Sequence, residues 1–312
     1  MKKSDFKVKF WGVRGSYPVA NESFLKYGGN TSCVEIQAGS HRIILDGGTG
    51  IIPLGDKIFQ EHISSADNVY DREPMNITML LSHIHQDHIQ GLNFFKPMNV
   101  FTTKFSIFGY SGFDSNLDKT LSELIYGKSF PINLYDITAD YSITDITESE
   151  VLILKQNETQ PILKRITCPD DVKPKKDEIV ISFMKSNSHP NFGVMCFKIA
   201  YKNKSVVYAT DMECYNGGSK RLELFAKDTN LLIHDAQYTT EDYLSVVFPK
   251  QGFGHSTFEM AYDVALASNA KSLAFFHYDP SYNYEKLTNI ENIFKNKSKN
   301  CFLAKEGMEI CI

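Results

Sequence analysis

No stretch of this chain approaches the ~20 apolar residues that a membrane-spanning helix requires, so a transmembrane protein is not expected. The start, Met1-Lys2-Lys3-Ser4-Asp5-Phe6, carries charge with no apolar region after it, which reads against a secretory leader. Cysteine is sparse: six residues, at 33, 168, 196, 214, 301 and 311, with no Cys-x-x-Cys pair. That spacing argues against a zinc knuckle or a disulfide framework, so reduced thiols and a cytoplasmic location are expected. An excess of positive charge is lacking too, since 33 Lys and Arg stand against 37 Asp and Glu, a net charge of −4. Polyanion binders usually show a basic stripe. Here only Lys173, Lys175 and Lys176 cluster, among Asp170, Asp171 and Asp177, and they read as a solvated loop. Internal repeats and low-complexity tracts are absent. At 312 residues and 42% hydrophobic content, the chain is long enough to bury one large core.

What is present is concentrated. Ser82-His83-Ile84-His85-Gln86-Asp87-His88 follows the apolar run Ile77-Thr78-Met79-Leu80-Leu81, which places three imidazoles and a carboxylate at the mouth of a buried strand. Imidazole nitrogens and carboxylate oxygens are metal donors. In extended chain, residues two apart point the same way, so His83 and His85 can converge on one metal. Asp87 and His88 fall where the chain turns and can face a second.

H-x-H-x-D-H after a strand resembles the signature of the metallo-β-lactamase-fold hydrolases. The fold implied is α/β: a four-layer αβ/βα sandwich of two mixed β-sheets flanked by helices, with a dinuclear metal site at one edge. The resemblance covers about residues 6–310, so a single domain over 1–312 is expected. It implies further ligands in chain order: His189 after Ile179–Phe183, Asp211 as the metal-bridging carboxylate after Ser205–Thr210, and His277 after Leu273–Phe276. Leu45-Asp46-Gly47-Gly48 looks like the family's first motif, whose Asp46 would orient a ligand from behind. Asp235, at the end of the run Leu231-Leu232-Ile233, is expected to support a ligand histidine, and His234 to be structural. His41 and His62 are expected at the surface. Gly254-His255-Ser256-Thr257 is similar to the His-Ser-Thr motif of the RNase Z-like and cyclic-phosphodiesterase branches, where the matching histidine donates a proton or steadies a phosphate oxygen. Ser256 or Thr257 would also cap the helix that follows. His255 and Asp87 are therefore the catalytic candidates.

The resemblance implies a dinuclear metal-dependent hydrolase that uses a metal-bridging hydroxide, with two Zn²⁺ as cofactors and Mn²⁺ as the alternative. The expected substrate is a small phosphodiester such as a 3′,5′-cyclic nucleotide, because the chain lacks both a basic stripe and the long Gly/Pro-rich arm with which RNase Z enzymes grip tRNA. No stable nucleic-acid complex and no membrane association are expected, and homodimerisation is left open. The alternatives are an RNase Z-like nuclease and a thioester or lactone hydrolase. Tyr215, Tyr238, Phe253 and Tyr278 lie near the motif loops as candidates to stack on a base. The chain departs from the family pattern at Gln86 and at Asn191-Phe192, where small glycines are usual after the motif of His189.

Elsewhere, residues 6–55 read as short strands broken by glycine turns, and 99–110 as a strand pair. A helix beginning at Asp87 is expected to carry Leu92, Phe94 and Phe95 inward. Leu117–Ile125 reads as an amphipathic helix. The polar stretch 136–176 is expected to hold strands near 151–154 and 162–163 and an exposed loop at 169–176. Helices are expected at 220–226, 257–267 and 284–295, before a closing strand.

Overall fold

Phe6, Val8 and Phe10 are buried while Lys7 and Lys9 between them are not, the period-two pattern of a strand with one face on a core. The computed structural model, which describes residues 5–112, 116–127, 130–215 and 217–312, builds two sheets from such segments. The first six strands form one sheet: β1 (Phe6–Gly12), β2 (Cys33–Ala38), β3 (His41–Leu45), β4 (Met75–Leu81), β5 (Thr103–Gly109) and β6 (Asp140–Asp145). The next eight form the other: β7 (Glu150–Lys155), β8 (Ile162–Arg165), β9 (Glu178–Ser186), β10 (Val194–Tyr201), β11 (Lys204–Ala209), β12 (Leu231–Asp235), β13 (Leu273–Phe276) and β14 (Cys301–Leu303). The last strand, β15 (Glu309–Cys311), returns to pair antiparallel with β1.

The strand orders are β15-β1-β2-β3-β4-β5-β6 and β14-β13-β12-β11-β10-β9-β7-β8. Both sheets are mixed: β3 to β6 run parallel in the first, β11 to β14 in the second. The central parallel strands are covered on both faces, which is why β12 and β13 are buried at every position and read as continuous apolar runs.

Among the described residues seven helices complete the layers: α1 (Ile51–Ile63), α2 (Gln86–Ile89), α3 (Leu117–Leu124), α4 (Lys220–Phe225), α5 (Thr240–Tyr243), α6 (Phe258–Ala267) and α7 (Tyr284–Lys297). Ile51, Leu54 and Ile58 of α1 and Leu117 and Leu121 of α3 pack with Ile44, Ile77 and Phe105 on the outer face of the first sheet. On the outer face of the second, Phe275 meets Phe258 of α6 at 5.3 Å and Phe294 of α7 at 4.7 Å between ring centroids. Between the sheets, Phe10 faces Phe276 at 6.1 Å and Phe6 faces Tyr201 at 5.8 Å. The chain is the four-layer sandwich that the sequence implied. Among the described residues no helix is long and apolar enough to cross a membrane, and all six cysteines are free.

Several local expectations need correction. Helix α1 lies within and beyond the region read as strands and turns. Its Pro53 sits in the first turn, where no intrahelical N–H is lost. Residues 99–110 hold one strand preceded by a 3₁₀ turn, Lys96–Asn99, rather than a strand pair. Helix α2 is a single turn, and Phe94 is 56% exposed although Leu92 and Phe95 are buried. Leu124 is exposed as well, so α3 packs through Leu117 and Leu121. Strand β6 is hidden in the sequence by its polar, half-exposed residues, the composition of a sheet edge. His62 is buried, with Nδ1 2.8 Å from the Glu73 carbonyl, and not at the surface.

Replacing Phe275 by alanine empties the aromatic contact that holds α6 and α7 on the second sheet. It is expected to cost ~3–5 kcal/mol, measured as a lowered urea midpoint with unchanged slope.

Candidate metal centre

Five loops begin where parallel strands end, and they end at the same edge of the sandwich. Asp46 follows β3, His83 follows β4, Asp211 follows β11, Asp235 closes β12, and His277 follows β13. Side chains at the carboxyl ends of parallel strands converge on a common crevice. Asp46, Asp211 and His277 adopt left-handed backbone, with φ of 60°, 54° and 65°, and each turns sharply out of its strand. Backbone of this kind is costly for residues with a Cβ and gathers at functional sites.

The expected ligands assemble into two groups. In the first, His83, His85 and His189 each offer a nitrogen, all within 4.8 Å of one another, and His189 Nε2 lies 2.9 Å from His85 Nδ1. In the second, Asp87 and Asp211 offer carboxylate oxygens and His88 and His277 nitrogens within the same 4.8 Å, with His88 Nε2 3.2 Å from His277 Nε2. Asp211 stands between the groups. Its Oδ1 is 3.7 Å from His83 Nε2 and 3.6 Å from His189 Nε2, and its Oδ2 is 3.2 Å from His88 Nε2 and 3.4 Å from His277 Nε2. One oxygen therefore faces each set of imidazoles.

A layer of hydrogen bonds aims these donors. Asp46, fully buried, accepts from Ser82 N at 2.7 Å, Ser82 Oγ at 2.8 Å, His88 Nδ1 at 2.8 Å and Tyr208 Oη at 2.7 Å, and so leaves His88 Nε2 free to face inward. The amide of Ser16 donates to Asp87 Oδ2 at 2.8 Å. His189 Nδ1 meets the Gly254 carbonyl at 3.1 Å. Close approach requires glycine here: a Cβ on Gly254 would fall 2.3 Å from His189 Nδ1, and one on Gly15 2.4 Å from His277 Cε1.

His255 lies beside both groups, stacked on His277 at 5.1 Å and edge-on to His189 at 5.0 Å. Its Nδ1 is 2.7 Å from Asp235 Oδ2, while Asp235 Oδ1 accepts the amides of Gln237 and Ser256 at 3.1 Å each. Thr257 caps α6 by accepting the Met260 amide, so the loop carrying His255 is pinned on its far side. On the near side it is held by Glu213, whose buried carboxylate accepts from Tyr243 Oη at 2.6 Å, Gly252 N at 2.8 Å and Gly254 N at 2.9 Å.

Electrostatics divide the cluster. Burial, helped by neighbouring imidazoles, pushes His83 and His85 below the usual histidine range and His189 down to about 4. Neutral imidazole is the form that ligates. Burial opposes the charge on Asp87, yet His88 and His277 hold its carboxyl well below the ordinary value. Asp211 is likewise held low against burial, by His277, His88 and His83. Burial works against the charge of His88 and His277, but the carboxylates Asp211 and Asp87 raise both, His277 to about 8.

The residues fit a metal. His83 Nε2 is buried without a hydrogen-bond partner, which is costly unless something else takes the lone pair. The donor set is imidazole and carboxylate without thiolate, suited to Zn²⁺ and to Mn²⁺. Cys214 lies against His234, 3.6 Å away, and neither enters a cluster.

Ser16, Ser82, Tyr208 and Glu213 are contributors that the sequence reading missed. Tyr208 carried a usable signal, since it sits on a buried strand with a hydroxyl that needs a partner. A main-chain amide such as that of Ser16 leaves no signal. Of the four aromatics considered for stacking, Tyr278 is a core residue, fully buried with its hydroxyl donating to the carbonyls of Phe275 and Ala304. Tyr238 is buried and edge-on to His255, while Tyr215 and Phe253 are exposed.

A two-sheet sandwich with this histidine–aspartate cluster at one edge defines a metal-dependent hydrolase of the metallo-β-lactamase fold. A family model described as a beta-lactamase superfamily domain matches residues 41–278, and the chain belongs to that superfamily. It is 25% identical to a Ribonuclease Z of Picrophilus torridus over 332 aligned positions, spanning 98% of this chain and 96% of that protein. Among solved structures it is similar to the metallo-beta-lactamase fold protein YhfI of Bacillus subtilis (TM-score 0.63, 19% identity, 99% of both chains). It is also similar to the short form of human tRNase Z (TM-score 0.60, 15% identity, 97% of this chain and 98% of that one).

Asp46→Asn keeps the shape but removes an acceptor from His88. It is expected to weaken metal binding about 10–100-fold, read by competition with a chromophoric chelator.

Proposed function

We propose that the chain is a phosphodiesterase of the RNase Z-like type, carried by one domain over 1–312, that hydrolyses a 3′,5′-phosphodiester of RNA. The observation that carries this reading is Asp211 set between two imidazole groups with the His255–Asp235 pair beside them. The full-length similarity to a protein named Ribonuclease Z supports an RNA substrate above the cyclic nucleotide that the sequence alone suggested. His83, His85 and His189 would hold one cation, and Asp87, His88 and His277 the other, with Asp211 shared. Zn²⁺ suits the donors and Mn²⁺ is the alternative. Two such cations, when bound, activate water at neutral pH and stabilise the charge that builds on a phosphate.

The chain's own residues do the rest. Asp46, the Ser16 amide and the Gly254 carbonyl fix His88, Asp87 and His189 before substrate arrives, so no reorganisation is required at the moment of reaction. Asp235 engages His255 through Nδ1 and leaves Nε2 to carry the proton that the departing oxygen takes.

The cyclic-nucleotide reading is kept as the second, because a net charge of −4 gives little of the phosphate attraction that a long polyanion uses. Metal-loaded protein should be offered a precursor tRNA with a 3′ trailer, a panel of 3′,5′-cyclic nucleotides and bis(p-nitrophenyl) phosphate, beside an Asp87→Ala/His88→Ala control. Cleavage of the RNA, lost in the control, is the expected result. Turnover of cyclic nucleotides alone would put the second reading in its place. No phosphodiester turnover by protein holding two metals would sink both in favour of thioester or lactone hydrolysis.

His255→Ala is expected to slow cleavage of a diester with an alcohol leaving group by about 10²–10⁴-fold. Release of p-nitrophenolate, which departs without needing a proton, should fall by no more than about tenfold. The ratio of the two rates isolates proton delivery from folding.

A further inference from the structure

Beside the histidine cluster a cavity of about 160 Å³ opens between His83, Ile84, His85, Tyr110, Asn191 and Phe192. It is mostly apolar, although it adjoins the most polar part of the molecule. Phe192 has φ of 46°, between Asn191 at 54° and Gly193 at 78°, so three successive residues are left-handed. A bulky side chain is strained in that conformation. Phe192 is also 54% exposed, so burial in the core does not account for a phenyl ring at this position. One edge of the ring rests on the main chain at Gly112, where a Cβ would lie 3.0 Å from Phe192 Cδ1. Residues held in strained backbone conformations gather at active sites and ligand clamps.

The dimensions restrict what can enter. The cavity is well below the roughly 300 Å³ at which drug-sized sites begin, so it admits one planar ring system rather than a folded stretch of nucleic acid. It touches the cluster on the side of His83 and His85, and His255 is not among the residues lining it. A ring held there therefore belongs to the part of the substrate that stays on phosphorus, not to the group that leaves.

We propose that Phe192 is the stacking face of a subsite for a heterocyclic base, that of the nucleotide which retains the scissile phosphate. This rests on the phosphodiesterase reading. Stacking on an aromatic face tolerates any base, so the subsite would add affinity without choosing a sequence.

Two substrates with the same leaving group separate the subsite from the chemistry: thymidine 5′-(p-nitrophenyl phosphate) and methyl p-nitrophenyl phosphate. Phe192→Ala is expected to raise KM for the thymidine ester about 5–150-fold, the range of a lost base–aromatic stack, and to leave the methyl ester unchanged. Phe192→Trp should restore the thymidine ester. Calorimetric binding of thymidine 5′-phosphate and of methyl phosphate to metal-loaded protein reads the same subsite without turnover, and only the nucleotide should lose affinity in Phe192→Ala. Phe192→Gly removes ring and strain together. It should bind like the alanine variant while melting no lower than the wild type. Unchanged nucleotide binding in Phe192→Ala, or equal losses for both phosphates, would overturn the subsite. Wild-type protein that turns over neither ester would count against the phosphodiesterase reading instead, and the calorimetry would still judge Phe192.

Discussion

Four donors close on the carboxylate of Asp46, and they come from different layers. Ser82 reaches it from the end of β4, His88 from α2, and Tyr208 from β11 across the sandwich. One buried side chain thus ties the first sheet to the second and sets the direction of an imidazole at the centre of the site. The same network explains why a tyrosine hydroxyl and a serine hydroxyl can sit unexposed between two sheets. Without the carboxylate the tyrosine hydroxyl would lose its acceptor, at a cost of about 1–3 kcal/mol, whereas the serine hydroxyl also lies 3.0 Å from His83 Nδ1. Fully satisfied networks of this kind rigidify a core, whereas partly satisfied ones weaken it.

The cluster has its shape because strands of both sheets release their chains at one edge. Asp46, Asp211 and His277 leave β3, β11 and β13 through left-handed residues, each about 1–2 kcal/mol less favourable than ordinary backbone. The hydrophobic layers on either side offset that strain. Asp211 gains the most from the arrangement: because β11 is central in its sheet, its two oxygens meet histidines delivered by β4, β9–β10 and β13. The positioning of His255 is separate and depends on a different carboxylate. Glu213 gathers the amides of Gly252 and Gly254, and Gly254 in turn meets His189. The loop of His255 and the ring of His189 therefore share a single support.

Much of this was legible in the chain. The H-x-H-x-D-H run and the apolar strand before it are local patterns, and local patterns survive without knowledge of the fold; His189, Asp211 and His277 were implied by the family order rather than by their own surroundings. The misreadings have physical causes. Helix α1 was obscured by Gly47, Gly48, Gly50 and Pro53, which favour turns in isolation but here lead into and occupy a first helical turn. Strand β6 has the polar residues of a sheet edge, so no hydrophobic alternation announces it. Tyr278 was placed near the site because it follows His277, but a left-handed residue between strand and loop turned it into the core beside Phe258. His62 looked unsupported because its partner is a main-chain carbonyl eleven residues away.

Residue chemistry and its spacing determined by themselves that this chain would carry a histidine–aspartate centre at the mouth of a buried strand, because donor types and strand periodicity are properties of short segments; the α/β sandwich was implied by the resemblance of that run to the metallo-β-lactamase-fold hydrolases. Which oxygen of Asp211 faces which imidazoles, that Tyr208 and Glu213 hold the site in place, and that Phe192 borders an apolar cavity were decided only by the tertiary structure. Those facts depend on contacts between residues tens to hundreds of positions apart, and such contacts exist only once the two sheets have closed on each other.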